Sequence, residues 1–183
     1  GLTSMDGFLY AAGGFDGQNW LTAVERYDPG TDTWEDVCPL STPRSAFGLA
    51  AVNGSLFAIG GSDGQMSQRT VERYDAGADR WGSFPGMTTR RENLGVTVAG
   101  GQLFAAGGYD SMWAEWLRST ERYDSSISAW VSEPDMNSPR RNCMLVAVKG
   151  EVVALGGNNG MQQLEQSERM RLQGGGWRAA VEF

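Results

Sequence analysis

Short apolar segments separated by glycine-containing turns run through the chain, and apolar and polar side chains alternate with the two-residue period of β-strands. Phe47–Val52 and Leu56–Ile59 are two such segments, and Asn53-Gly54 lies between them. Asn-Gly between apolar runs favours a type I′ hairpin turn. Thr70–Asp75 alternates as a third strand, and Trp81–Phe84 is a short fourth. The pattern therefore predicts a four-stranded antiparallel unit.

This unit occurs four times. In each copy a Gly-Gly pair is followed by Glu-Arg-Tyr-Asp, or by a variant of it, and then by a lone tryptophan. The first glycines of successive pairs are 47, 47 and 49 residues apart, and the tryptophan always stands seven residues after the tyrosine, or after Met170 in the last copy. A fixed period of this size indicates one supersecondary unit repeated along the chain. Four antiparallel strands in such a period are typical of a propeller blade.

Gly-Gly, Glu-Arg-Tyr-Asp and Trp, with Pro43-Arg44 and Pro139-Arg140 opening the following units, closely resemble the kelch repeat over essentially the whole chain. The resemblance implies an all-β fold: a kelch β-propeller with four four-stranded blades. It is most like the propellers of BTB-kelch proteins, the substrate adaptors of cullin ubiquitin ligases. The repeats cover approximately residues 1–40, 41–87, 88–136 and 137–183.

The two ends of the chain suggest that these blades are part of a larger propeller. Gly1–Gly7 matches Gly48–Gly54, which begins partway along a first strand, and Trp177–Phe183 matches a fourth strand. The kelch resemblance implies rings of five to seven blades. Four blades are at the lower limit of what closes, so the chain is expected either to close tightly or to remain an open arc. An open arc would leave an unpaired edge at each end, and such edges favour self-association.

Residues that recur in every copy are interpreted as architecture. The tyrosines and tryptophans of the repeats are expected in the core. A glutamate stands two residues before each tyrosine position, and a buried carboxylate needs a partner. An arginine stands 16 residues before the Gly-Gly pair in copies two to four. We expect one Glu–Arg pair at each blade junction, from the set Glu25, Glu72, Glu121, Glu168 and Arg44, Arg91, Arg140.

Positions that differ between copies are the candidates for binding. The kelch resemblance implies that one face of the propeller, called the loop face below, is lined by the residues after Gly-Gly and by the start of the next first strand. These residues are Phe15, Ser62, Tyr109 and Asn158, and Ala46, Asn93 and Asn142. Arg90 and Arg141 flank the repeated arginines without being repeated themselves.

The third copy departs most from the others. Its loop, Tyr109–Leu117, is two residues longer and holds Trp113 and Trp116. Exposed Trp, Tyr and Arg together are typical of binding hot spots. The alternative is that either tryptophan folds back onto its own blade.

Composition narrows the class of protein. The net charge of −7 argues against nucleic acid or an acidic membrane as partner, and 40% apolar residues without a long apolar run predict no membrane span. The chain contains no histidine, so it lacks the commonest general base and metal ligand. Cys38 and Cys143 occupy unequal repeat positions, which indicates free thiols in a reducing, cytoplasmic compartment. No metal, cofactor or catalytic residue is expected.

These observations predict a non-catalytic interaction module that binds a protein or peptide through its loop face. Arg90 and Arg141 could each bind a carboxylate, so the predicted partner is acidic. The resemblance implies a recognition module of a ubiquitin-ligase adaptor. Two alternatives stay open: a scaffold of a cytoskeletal, actin-associated assembly, and a hydrolase that uses carboxylates alone.

Overall fold

The computed structural model describes residues 1–172 and 174–180, and these form an all-β chain. Four antiparallel sheets of four strands follow one another, one for each repeat, and a two-stranded hairpin extends from the third. The predicted fold class is confirmed. The predicted last strand lies partly outside the described residues, because Val181–Phe183 are not among them.

The strands of the first two blades are β1 (Leu2–Met5), β2 (Phe8–Phe15), β3 (Trp20–Asp28), β4 (Thr33–Val37), β5 (Gly48–Val52), β6 (Ser55–Ile59), β7 (Val71–Asp75) and β8 (Arg80–Phe84). Those of the third blade and its hairpin are β9 (Gly95–Ala99), β10 (Gln102–Ala106), β11 (Tyr109–Asp110), β12 (Glu115–Trp116), β13 (Thr120–Asp124) and β14 (Ala129–Glu133). The fourth blade contains β15 (Met144–Val148), β16 (Glu151–Leu155), β17 (Glu168–Arg171) and β18 (Arg178–Ala179).

The turn between the first and second strands of each blade has the predicted type I′ character. Both central residues have positive φ in the second blade, 51° at Asn53 and 69° at Gly54. The same holds for the other three turns, Asp6-Gly7, Gly100-Gly101 and Lys149-Gly150. Positive φ at both positions matches the right-handed twist of the flanking strands.

The Gly-Gly pairs permit a close approach between blades. Gly60 has φ of +65°, and a Cβ built on it would lie 2.6 Å from the carbonyl oxygen of Arg91, which precedes the first strand of the third blade. The segment that leads into a blade therefore runs directly against the pair, and only glycine leaves it room.

The apolar core lies between blades. Each of the three blade junctions has its own cluster of buried side chains, for example Tyr10, Leu56, Tyr74 and Trp81 between the first and second blades. The innermost strands contact one another in the order β1, β5, β9, β15, and β1 is not in close contact with β15 in the described structure. The four blades form an open arc.

Candidate functional site

Three buried Arg–Glu pairs fix the blade junctions, which carry the loops of the candidate site. The shortest N–O distances are 3.1 Å for Arg44–Glu72, 3.0 Å for Arg91–Glu121 and 2.9 Å for Arg140–Glu168. Each carboxylate also accepts hydrogen bonds from backbone N–H groups of the turn that precedes its arginine, as Glu121 does from Thr88 and Thr89. The predicted pairing is confirmed for these three glutamates.

Each arginine joins two blades. The Arg91 backbone binds the second blade, because its N–H donates to Gln68 and its carbonyl accepts from Gly61. The Arg91 side chain binds the third, where it donates to the carbonyl oxygens of Gly107 and Ser119 at 2.9 Å and to Glu121. Burial lowers the pKa of the Arg91 guanidinium, and the adjacent Glu121 carboxylate opposes that shift. Arginine remains charged, so the pair is a buried ion pair with its donors satisfied.

Two expectations fail in the first blade. Glu25 is exposed and makes no ion pair with an arginine in the described part of the chain. Trp34 is 48% exposed, whereas Trp81, Trp130 and Trp177 are buried. The physical reason is the same in both cases: no described blade packs against that face of the first sheet. The repeated tryptophan is core only where a preceding blade covers it.

A short ladder of backbone hydrogen bonds crosses the blade junctions on the loop face. Asn93 N donates to Ala46 O at 2.7 Å, and Asn142 N donates to Asn93 O at 2.8 Å. All three residues have positive φ, between 52° and 57°. Left-handed backbone is tolerated well by asparagine, and it turns these side chains out of the strand direction. The ladder therefore brings Ala46, Asn93 and Asn142 into one row.

Arg141 is the centre of a polar and aromatic cluster on this face. Its guanidinium lies 3.4 Å from the Glu92 carboxylate and 5.0 Å from the centre of the Tyr109 ring. The neighbouring groups orient the Asn93 amide so that its oxygen accepts from Arg141 at 3.1 Å and its nitrogen donates to Asn142 at 2.7 Å. Arg141 is thus already held by an anion, a ring and an amide. Glu92 was not predicted from the sequence.

The residues after the Gly-Gly pairs lie beside the incoming strands. Ser62 forms paired backbone hydrogen bonds with Ser45, Tyr109 with Glu92, and Asn158 with Arg141. Phe15 is 51% exposed and its ring packs against Trp20 at 4.7 Å between centroids. Arg90 donates to the carbonyl oxygen of Ser67, at 3.2 Å.

The long loop of the third blade folds as the hairpin β11–β12. Trp113 lies at its tip and is 74% exposed. Trp116 is 36% exposed, packs edge-to-face on Tyr109 at 4.9 Å between centroids, and lies against Gly160 of the fourth blade. Trp116 therefore packs on its own and the next blade, whereas Trp113 does not fold back.

Trp20 belongs to this face and was missed in the sequence. It packs on Phe15 and against Gly64 of the second blade. The signal was present, because Trp20 and Trp116 each stand five residues before the repeated glutamate. This position contacts the next blade in each case.

The predicted site residues lie in four separate places. Tyr109, Trp116, Asn93, Arg141, Asn142 and Asn158 form one contiguous cluster at the junction of the third and fourth blades. Ser62 and Arg90 both contact Ser67 at the junction of the second and third blades. Phe15 lies with Trp20 on the first blade, and Trp113 projects from the hairpin tip.

Metal-binding clusters and cysteine reactivity bear on the chemistry that the described residues could support. Residues 1–172 and 174–180 contain no group of three or more His, Cys, Asp or Glu side chains that could hold a metal ion. Burial raises the pKa of the Cys143 thiol, which disfavours the reactive thiolate. No helix long and apolar enough to span a membrane occurs in this part of the chain.

The chain matches the family model of the Kelch motif over residues 1–41, 43–88 and 90–137, most of its length, and it belongs to that family. The influenza virus NS1A-binding protein homolog of Mus musculus is 46% identical over 50 residues, which cover 27% of this chain and 8% of that protein. Kelch-like protein 35 of Mus musculus is 43% identical over 49 residues, again 27% of this chain and 8% of the relative. The matched stretch is therefore a small part of each relative.

A solved structure, described as the structure of YjhT, has a TM-score of 0.81 and 12% sequence identity. It covers 98% of this chain, which in turn covers 64% of that chain. At this identity the likeness shows the fold alone. The chain is a Kelch-motif β-propeller arc, related in sequence to kelch-like proteins.

Proposed function

We propose that the chain is a protein-interaction module whose loop face binds a partner protein or peptide. The observation that carries the proposal is the exposure of large apolar side chains on this face: Trp113 is 74% exposed and Phe15 51%. Trp116 and Tyr109 add an aromatic pair beside Arg141. Exposed tryptophan, tyrosine and arginine on a rigid support are the usual anchors of protein interfaces.

These anchors lie on loops that start from the blade junctions. The buried Arg–Glu pairs and the backbone ladder hold those junctions together. Pre-organised anchors lose little conformational freedom on binding, which favours affinity. An acidic partner segment is part of the proposal. A partner carboxylate could bind beside Arg141 over the Tyr109 ring, in competition with Glu92, and another could bind at Arg90.

We further propose that this module recognises substrates for a cullin ubiquitin ligase and acts in the cytoplasm. The first part rests on the resemblance of the repeats to BTB-kelch adaptors. The second is supported by the two free cysteines, Cys38 and Cys143, because unpaired thiols are common in reducing compartments.

The test is affinity capture from a cell lysate with quantitative mass spectrometry. The chain serves as bait beside Trp113→Ala, Arg90→Glu/Arg141→Glu and the matched control Ile127→Ala. Ile127 is 63% exposed in the turn between β13 and β14, at the far end of the third blade from the hairpin. Thermal melts and near-ultraviolet circular dichroism check each variant for folding.

We expect a partner that the wild type and Ile127→Ala retain equally, and that the two loop-face variants lose by at least fivefold. Capture of the same proteins in the same amounts by all four folded chains would exclude the loop face as the binding site.

A second candidate, self-association, is favoured by the two end faces of the arc. Leu2, Leu9 and Trp34 share one face of the first blade and are 38–64% exposed. Met144, Val148 and Leu155 lie on the other side of the fourth sheet, the side that in blades one to three is covered by the following blade. These three side chains are 36–62% exposed. At every internal junction a face of the second type packs on one of the first. Two copies could therefore associate head to tail.

Light-scattering mass at increasing protein concentration tests this candidate. We expect a rise above the monomer mass that Leu9→Lys and Met144→Lys each suppress. A constant monomer mass would leave the loop face as the interaction surface.

A further inference from the structure

A cavity of about 270 Å3 opens between the second and third blades, on the side of the arc opposite the loop face. Its rim includes Asn53, Gly101 and Ser125, which belong to turns at the far ends of the strands from the Gly-Gly pairs. Its walls include Phe57, Phe84, Tyr123 and Arg73. None of the loop-face residues lines it.

Arg73 is unusual among the arginines at its repeat position. Arg26, Arg122 and Arg169 each pair with a carboxylate, which is Glu35, Glu133 and Glu151 respectively. Arg73 instead donates to the hydroxyl of Ser55 at 3.0 Å, and within the described chain it makes no ion pair.

The sequence explains this difference. In the second repeat, Gly82 occupies the position of Glu35, Phe84 that of Glu133 and Ser55 that of Glu151. The nearby Asp75 accepts instead from the backbone of Gly77 and Ala78. Each of these three glutamates is therefore replaced by an uncharged residue, and the cavity lies beside two of the replacements, Ser55 and Phe84.

The neighbouring junction shows a carboxylate bound at the equivalent place. Between the first and second blades, Asp79 accepts from Cys38 N at 2.9 Å and from the Tyr74 hydroxyl at 2.7 Å. These hydrogen bonds, and the positive charge of Arg26, lower the pKa of Asp79. The Asp79 carboxylate is thus held by a tyrosine hydroxyl and by a backbone N–H of the preceding blade, with the charge of Arg26 close enough to act on it.

At the second junction the tyrosine and arginine remain but the carboxylate does not. Tyr123 and Arg73 stand at the positions of Tyr74 and Arg26, and Ser128 replaces Asp79, five residues after the tyrosine. The Tyr123 hydroxyl makes no hydrogen bond with a residue of the described chain. The hydroxyl that donates to a carboxylate in the first junction therefore has no such acceptor in the second, and Arg73 beside it has no ion-pair partner among the described residues.

The cavity walls are aromatic. The rings of Phe57 and Phe84 are 4.9 Å apart between centroids, and those of Phe84 and Tyr123 are 4.6 Å apart. An apolar cavity of about 150 Å3 is large enough to hold benzene. The present volume therefore suits one aromatic ring with a short acidic arm.

We propose that this cavity binds a small carboxylate that carries one aromatic ring. The ring lies among Phe57, Phe84 and Tyr123, and the carboxylate binds Arg73 and the Tyr123 hydroxyl. The ligand is either a free aryl acid or the carboxyl-terminal phenylalanine of a peptide, because both present the same chemistry. The site is independent of the loop face.

The test is an NMR titration of the 183-residue chain with phenylacetate, with its neutral analogue phenylacetamide, and with the peptide Gly-Gly-Gly-Phe. We expect saturable shifts of the Val52 and Leu103 methyl groups with phenylacetate, and binding at least tenfold weaker with phenylacetamide. Tighter binding of the peptide than of phenylacetate would identify a peptide terminus as the ligand, and the reverse would identify a free acid.

Matched variants locate the anion site. Arg73→Gln should weaken phenylacetate binding at least fivefold, and Arg122→Gln, the same change at the equivalent position of the third blade, should leave it unchanged. Ser128→Asp supplies the missing carboxylate from within the chain and should abolish binding, whereas the neutral Ser128→Asn should retain it. Backbone strain is no obstacle, because Asp32 and Asp79 already occupy this position with positive φ.

The proposal is overturned if folded wild-type chain shows no saturable shift with phenylacetate or the peptide. It is also overturned if phenylacetamide binds as well as phenylacetate, or if Arg73→Gln and Arg122→Gln behave alike.

Discussion

Arg90 and Arg91 are neighbours in the chain, yet they belong to two regions that obey different rules. Arg91 is fully buried at a blade junction, where its side chain binds Glu121 and two carbonyl oxygens. Arg90 lies on the loop face, is half-buried, and donates to the Ser67 carbonyl oxygen at 3.2 Å. Arg140 and Arg141 repeat the contrast, with side chains 2% and 35% exposed. A one-residue step moves a side chain from the junction to the surface.

The difference shows how the repeat divides its work. Positions that recur join one blade to the next, and their partners recur with them. The position next to the repeated arginine does not join two blades. Its residue can therefore vary between copies, and its side chain contacts other residues of the loop face.

The largest expected effect is the loss of a buried pair. Arg91→Ala should lower the free energy of unfolding by about 3–5 kcal/mol, because it leaves the Glu121 carboxylate buried without its cation. Arg90→Ala, the adjacent control, should cost less than about 1 kcal/mol. Urea unfolding followed by tryptophan fluorescence measures both. Equal losses for the two variants would break the contrast between junction and face.

Next in size is the tryptophan of a covered blade. Trp81 is buried and its Nε1 donates to Cys38 O at 2.9 Å, so Trp81→Phe should cost about 1–3 kcal/mol. Trp34→Phe should be near neutral, because Trp34 is 48% exposed. The same unfolding measurement applies. A loss at Trp34 as large as that at Trp81 would mean that some other surface covers the first blade in solution.

The recurring parts of the fold could be predicted, because the same residue types occur at the same position in several copies of the repeat. The four blades, the turn at Asn53-Gly54 and the buried pairs all follow from spacing. Each needs only the geometry of one unit and its neighbour.

The sequence suggested which residues line the loop face, but it did not predict the contacts between them. The β11–β12 hairpin and the packing of Trp20 on Gly64 depend on contacts between loops of different length, which no repeat position encodes. The pairing of Arg141 with Glu92 joins two residues 49 positions apart. The exposure of Trp34 depends on which faces are covered, and not on its own repeat.

Asp79 offers a smaller, pH-dependent effect. Hydrogen bonds from Cys38 N and the Tyr74 hydroxyl lower the folded-state pKa of Asp79 below its unfolded value, which for aspartate is about 3.9. The stabilisation is therefore present above about pH 4 and is lost as the pH falls through the folded-state pKa. Asp79→Asn should destabilise the chain at neutral pH, and the gap from wild type should narrow in acid.

Thermal melts from pH 7 down to pH 3 measure that gap. Tyr74→Phe removes one of the two donors and should give a smaller version of the same pH dependence. A gap that stays constant over this range would show that the Asp79 charge does not contribute.

The smallest effect is expected for the ion pair on the loop face. Arg141 lies 3.4 Å from Glu92, but its side chain is 35% exposed, so solvent screens the attraction. A double-mutant cycle with Arg141→Ala and Glu92→Gln should give a coupling energy of about 0.2–1 kcal/mol, and it should decrease in 1 M salt. The same cycle on Arg91 and Glu121 should give several times that coupling and little dependence on salt. A coupling energy at Arg141 as large as that of the buried pair would mean that the Arg141–Glu92 pair stabilises the fold. A partner carboxylate that displaced Glu92 from Arg141 would then destabilise the chain.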